Sequence, residues 1–248
     1  MPPLTLPLRH ADVPGPLPSA ELLGVLTTAA ALRQAAPPHG RWQPLRGCQL
    51  ALLCARAAWP AADDFSRVVA EVGGSVARLD SEAWRLSAGN EVPEAARMLG
   101  RLYDAIDCCD LPAPVVELID RHAGVPVFNG LARPEHPPRL LAELQTMRQA
   151  SGRPLNSLRL RIEGDAPAAL SSAAEALICS AGVTLLPQRA IRDASPDDAD
   201  FVLDLSAPAA AGRLRRSHAT ADEQSSITAL LAEYRRAVVQ ALIVNALR

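Results

Sequence analysis

Short apolar runs alternating with segments of helical period constrain this chain more than any other feature. The run CQLALL at 48–53 reads as a buried strand. The segment DDFSRVVAEVGG then sets Phe65, Val68, Val69 and Val72 on one face and ends on Gly73-Gly74, which predicts a helix with a glycine C-cap. Residues 76–79 (VARL) form a second strand. A helix over 91–102, with Pro93 near its first turn, follows. Residues 103–106 read as a strand that enters a loop at Asp107-Cys108-Cys109-Asp110. Residues 115–123 are helical, 125–129 form a short strand before a glycine turn, and 137–149 form a helix with Leu140, Leu141, Leu144 and Met147. Strands and helices in this order predict an α/β fold with a parallel sheet covered by helices on both faces.

The pattern restarts after Gly152-Arg153-Pro154. Residues 158–162 alternate as Leu, Arg, Leu, Arg, Ile, which suits a strand. Gly164-Asp165 makes a turn, 168–181 a helix closed by Gly182, 183–186 a strand and 201–205 another. The polar stretch 189–200 and the Ala-, Arg- and Ser-rich stretch 207–222 read as loops, and an amphipathic helix over 226–247 closes the chain. Upstream, a proline-rich lead precedes a helix N-capped by Ser19, with Leu22, Leu23, Leu26 and Ala30 at helical spacing and Pro37-Pro38-His39-Gly40 at its end. Two domains are expected, 1–150 and 151–248, each a parallel sheet flanked by helices.

Composition removes several classes of function. Hydrophobic residues make up 49% of the 248, enough for a core, but aromatics are only 3%, which disfavours an aromatic binding surface. The net charge of −2, with both signs interspersed, predicts no affinity for nucleic acid or membrane. No run nears the roughly 18 apolar residues of a membrane helix, and the first residues lack the charged-then-apolar order of a signal peptide. A cytoplasmic protein is expected. All 25 basic residues are arginine, so Schiff-base chemistry and lysine contacts to phosphate are excluded. The five cysteines, Cys48, Cys54, Cys108, Cys109 and Cys179, are odd in number and contain no CxxC, which predicts reduced thiols, with no disulfide framework and no metal. No cofactor is expected.

The arrangement is specific enough to carry a resemblance. Asp104-Ala105-Ile106, Val116-Glu117-Leu118, VPVFNGL at 125–131 and EHPPRLLAELQT at 135–146 stand in the order and spacing found in ornithine carbamoyltransferases. From about Leu45 to Met147 the chain resembles the carbamoyl-phosphate domain of the ornithine/aspartate carbamoyltransferase family. The second domain resembles the amino-acid domain only in outline and is shorter. The resemblance implies that helix 226–247 packs back on the first domain. It also implies a trimer with shared active sites.

Carbamoyl phosphate is small and doubly charged, so holding it takes backbone N–H groups at a helix N-terminus and fixed guanidinium groups. In the family a Ser-Thr-Arg-Thr-Arg loop after the first strand supplies them. The same slot here reads Ala58-Trp59-Pro60-Ala61-Ala62, without a hydroxyl or a guanidinium, and Asp63-Asp64 follow. The family's Arg-Thr pair after the next strand is replaced by Cys109-Asp110, its HPxQ element reads His136-Pro137-Pro138-Arg139, and its glutamine before the third helix falls at Arg85. No Asp-x-x-x-Ser-Met-Gly or His-Cys-Leu-Pro element is present in the second domain. Each hydrogen bond to a charged group contributes roughly 1.5–3 kcal/mol, so losing four removes about 6 kcal/mol, or about four decades of affinity.

A non-catalytic relative with a structural or regulatory role is therefore expected, as a homotrimer or in a mixed assembly with an active paralogue. Two alternatives stand beside it. One is an active carbamoyltransferase with altered substrate, for which Arg85, His136 and Arg139 are the available site. The other is a sensor that binds an amino acid or anion without chemistry. The candidate pocket residues are Trp59, Arg85, Cys109, His136 and Arg139, none assigned a catalytic role. Each has a plainer reading: Trp59 plugging the old pocket, Arg85 and Arg139 solvated or ion-paired, Cys108-Cys109 packed as small hydrophobes, and His136 orienting the helix after it.

Overall fold

In a computed structural model the structure describes residues 19–35, 42–55, 59–82, 91–133, 140–164, 168–186, 199–206 and 214–247; for 19, 59–61 and 168–173 it describes the backbone alone. The chain divides into two compact units. Unit 1 holds residues 34–136 and the end of the last helix from Val239. Unit 2 holds residues 13–33 and 137–238.

Unit 1 is built on β1 (Gln49–Cys54), β2 (Ser75–Asp80), β3 (Ala105–Cys108) and β4 (Val127–Phe128), in the order β2-β1-β3-β4, with every pairing parallel. β1 is central and apolar, and five of its six residues are buried. Its alternate residues serve opposite faces of the sheet. On one face Ala51 and Leu53, with Ile106, Cys108 and Val127, form a core with Val92, Ala96 and Leu99 of α3 (Val92–Leu102) and Val116, Ile119 and Ala123 of α4 (Ala113–Ala123). α3 and α4 meet closely at Gly100. A Cβ there would lie 1.8 Å from the Ala123 carbonyl oxygen, so only glycine fits, despite its cost of roughly 1 kcal/mol inside a helix. α2 (Trp59–Glu71) lies between β1 and β2 in the chain and buries Ala62, Phe65 and Val69, with Val72 buried just past its end.

Several boundaries in this unit differ from the sequence reading, and α2 begins at Trp59, four residues before the expected Asp63. β3 runs on through Asp107 and Cys108, which were expected to be loop. A carboxylate inside an apolar strand looks like a strand end, but Asp107 is fully buried with backbone donors around it. β4 is shorter than expected, with only Val127 and Phe128 in the ladder.

Unit 2 repeats the pairing order with β5 (Arg159–Glu163), β6 (Thr184–Leu186), β7 (Phe201–Asp204) and β8 (Leu214–Arg216), ordered β6-β5-β7-β8. β6 and β7 run parallel to β5, while β8 is antiparallel to β7, so this sheet is mixed where a parallel one was expected. β8 falls in the stretch 207–222 read as loop, and Arg215 and Arg216 therefore sit on a strand, both exposed. Arg213 lies outside the described residues. Leu160, Ile162, Phe201, Leu203 and Leu214 are buried on one face. By alternation the opposite face carries Arg159, Arg161, Glu163, Val202, Asp204 and Arg215.

The helices α1 (Ser19–Gln34), α5 (Leu140–Ser151), α6 (Ala168–Ser180) and the first part of α7 (Ala221–Leu247) belong to this unit. Arg33 of α1 pairs with Glu233 at 2.5 Å and lies 5.2 Å above the Tyr234 ring. Glu143 of α5 pairs with Arg235 at 3.4 Å, both largely buried. α7 starts five residues before the expected Ser226, because Thr220 and Glu223 form a capping box. The Thr220 N–H donates to the Glu223 carboxylate at 2.8 Å, and the Glu223 N–H donates back to Thr220 Oγ1 at 3.3 Å. The end of α7 belongs to unit 1, where Gln240 Nε2 donates to the Val68 carbonyl at 2.9 Å and to Glu71 at 3.0 Å. No described helix is long and apolar enough to cross a membrane.

Candidate functional site at the carboxyl edge of the first sheet

In open α/β sheets ligands bind outside the carboxyl ends of the strands. In unit 1 that edge is formed by Cys54 and Ala55 at the end of β1, Asp80 and Ser81 at the end of β2, Cys109 and Asp110 after β3, and Asn129 to Arg133 after β4.

Asp107 organises the last of these segments. Its carboxylate accepts the N–H groups of Gly130 and Leu131, both at 2.9 Å, and of Ala132 at 3.0 Å. Burial pushes this carboxyl up to about 6, against the pull of the three N–H groups and of Arg133. Gly130 is required twice over. Its φ of 82° suits glycine, and a Cβ there would lie 2.1 Å from the Arg133 Nε. Arg133 folds back over this turn and donates to the Asn129 carbonyl at 3.2 Å. The sequence reading missed Asp107, Asn129 and Arg133. A charged residue inside the apolar strand AIDC was the available signal for the first.

Asp110 organises the segment after β1. Its carboxylate accepts the Ala55 N–H at 2.6 Å, just where the chain leaves β1. One residue earlier the Cys109 N–H donates to the Leu53 carbonyl at 2.8 Å. A carboxylate thus holds the first backbone donor after β1. Nearby, Arg78 of β2 is paired with Asp63 of α2 at 2.5 Å.

Three thiols line the same edge, and all are buried. Burial, and then the carboxylates of Asp110 and Asp107, push Cys54 up to about 11. Burial and Asp107 push Cys109 up to about 12, and Cys108 is raised well above the usual thiol range by the same causes. A thiol whose pKa is raised in this way is a poor nucleophile at neutral pH. Among the described residues no group of three or more His, Cys, Asp or Glu side chains could hold a metal ion.

Of the five residues singled out from the sequence, Cys109 is the one whose side chain is described, and it packs as a small buried group. Trp59 begins α2, and only its backbone is described. Arg85, His136 and Arg139 lie outside the described residues. Among the described residues this edge presents carboxylates, buried thiols and two engaged arginines, Arg78 and Arg133.

Two α/β units of this topology, with an edge site shaped by the loops after β1, β3 and β4, define a class that comparison with known proteins makes specific. The chain belongs to the aspartate/ornithine carbamoyltransferase family: that family's carbamoyl-P binding domain matches residues 14–149, more than half of the chain. The ornithine carbamoyltransferase of Neisseria meningitidis is 40% identical over 102 residues, which are 41% of this chain and 39% of that protein. The chain thus matches about two fifths of the length of that relative. Among solved structures, the ornithine carbamoyltransferase of Thermus thermophilus aligns with a TM-score of 0.65 at 21% identity, over 93% of this chain and 96% of that one. A putative aspartate carbamoyltransferase from Trypanosoma cruzi aligns with a TM-score of 0.63 at 15% identity, over the full length of both. Likeness at such identities speaks to the fold alone.

Proposed function

We propose that this protein is a catalytically silent carbamoyltransferase relative, which keeps the family scaffold for a structural or regulatory role and does not hold carbamoyl phosphate. The observation that carries this reading is the Asp110 carboxylate on the Ala55 N–H. An acid occupies the first backbone donor after β1, three residues before the slot of the family's anion loop, and that slot reads Ala58-Trp59-Pro60-Ala61-Ala62. Around Cys54, at the end of β1, stand the carboxylates of Asp110, Asp107 and Asp80, together with Arg78, which is already paired with Asp63. Catalysis of carbamoyl transfer rests on positioning and charge stabilisation, so the groups missing for binding are missing for rate as well.

The two-domain division of the family, with its last helix returning to the first domain, and a cytoplasmic trimer or a mixed assembly with an active paralogue, belong to the same reading. The division into units, with Val239 onward in unit 1, supports the return of that helix.

The test is a binding and turnover assay of the purified chain with carbamoyl phosphate and a panel of amines, ornithine and aspartate included. The expected result is no saturable binding at millimolar donor and no product above background. Turnover that disappears in His136→Ala would overturn the proposal and restore an active transferase with altered substrate.

A further inference from the structure

The second sheet carries a charged group that the family reading does not use. Arg161 lies at the middle of β5 and is only 7% exposed. Its Nε is buried without a hydrogen-bond partner, and among the described residues it makes no ion pair. Its neighbours are committed elsewhere. Glu163 pairs with Arg215 at 2.9 Å. Asp200 pairs with Arg153 at 2.9 Å and faces Arg159 at 3.9 Å. Asp204 accepts the Ser206 N–H at 2.9 Å and hydroxyl at 2.6 Å.

Guanidinium groups stay charged in proteins. A buried charge without a counter-charge is strongly unfavourable, and nearby acids are normally drawn to it. Register places Leu186, Arg161, Val202 and Arg215 in one row across the sheet, on one face. Arg215 is more than half exposed and stands at the rim of that row. The row therefore offers the Arg161 guanidinium, its Nε buried and unbonded, beside apolar side chains, with Arg215, already paired with Glu163, at the edge. That combination suits a forked, charge-assisted contact to an oxyanion.

We propose that Arg161 is the inner half of a site for a small oxyanion, a phosphate or a carboxylate, on the charged face of the second sheet. This site lies in unit 2 and is independent of what the edge of the first sheet binds. Occupancy would supply a counter-charge that Arg161 does not find among the described residues.

Thermal melts of the full chain test this with inorganic phosphate, succinate and, at matched ionic strength, chloride. The variants are Arg161→Met, which keeps length without charge, Arg161→Gln, and Arg78→Met as a control on an exposed arginine of the first sheet. Phosphate or succinate at about a hundredfold over Kd should raise the melting temperature by about 5 °C or more beyond chloride. The arm that responds identifies the anion. Both Arg161 variants should lose the response, Arg78→Met should keep it, and anion-free Arg161→Met should melt at or above wild type. A wild type that answers no anion beyond chloride, or an undiminished response in whichever Arg161 variant folds, would overturn the site. So would an anion-free Arg161→Met that melts well below wild type.

Discussion

The two sheets of this chain share one pairing plan and differ in what covers them. In each, the pair at the centre starts with the same device. The Asp104 N–H donates to the Gln49 carbonyl and its carboxylate accepts the Gln49 N–H, both at 2.8 Å. In the second sheet the Asp200 N–H donates to the Arg159 carbonyl at 2.9 Å and its carboxylate accepts the Arg159 N–H at 2.8 Å. Beyond that start they diverge. β1 is apolar on both faces, and the one charge buried in its sheet, Asp107, is held by three backbone N–H groups. β5 is apolar on one face and charged on the other, and its buried charge, Arg161, has no such support. Backbone pairing sets the order of the strands, and the surroundings of each face decide which charges it can carry.

If the N–H groups around Asp107 are what make its burial tolerable, removing their acceptor should be costly. Asp107→Ala leaves three buried donors without a partner. At roughly 1–3 kcal/mol for each orphaned group, a loss of about 4 kcal/mol is expected in urea unfolding. A loss below about 1 kcal/mol would mean that the turn from Gly130 to Ala132 is held by something else.

Most of the fold was legible because apolar runs and glycine caps mark buried strands and helix ends, and these signals are local. Gln49 to Cys54 and the helix from Ser19 were readable for that reason. What failed were features in which a polar side chain serves the backbone. Asp107 looked like the start of a loop, and Thr220 was passed over although Thr-x-x-Glu is a capping signature. The candidate site was read as a set of family positions, of which Cys109 is the one whose side chain is described. The partner of Asp110 is a backbone N–H on Ala55, which has no sequence signature at all.

The carboxyl of Asp107 also gives the first unit a pH signature. Its position near 6 in the fold, above the 3.8 of an ordinary Asp, means that the folded chain holds a proton there which the unfolded chain has lost. Stability from this group is therefore fullest below about pH 4 and falls as pH rises through about 6. At roughly 1.4 kcal/mol per pKa unit the change is of order 2–3 kcal/mol. Urea unfolding between pH 4 and 7 measures it. Asp107→Asn should remove this component of the slope, and a slope unchanged in that variant would assign the effect to other groups.

The smallest expected effect compares the two sheets most directly. Asp104 and Asp200 make the same pair of contacts to the strand beside them, so Asp→Ala at either should free one strand N–H and cost about 1 kcal/mol. They differ in their further partners. Asp200 also takes the Arg153 guanidinium at 2.9 Å and faces Arg159, both about half exposed, for which exposed-pair values add less than about 1 kcal/mol. Asp200→Ala should thus exceed Asp104→Ala by a few tenths of a kcal/mol to about 1 kcal/mol, and the excess should shrink in high salt because only the ion pairs are screened. Equal losses at all salt concentrations would mean that the backbone contacts alone matter at both strand starts. A larger loss at Asp104 would break the equivalence of the two sheets and point to the fully apolar environment of β1 as what makes a freed N–H costly.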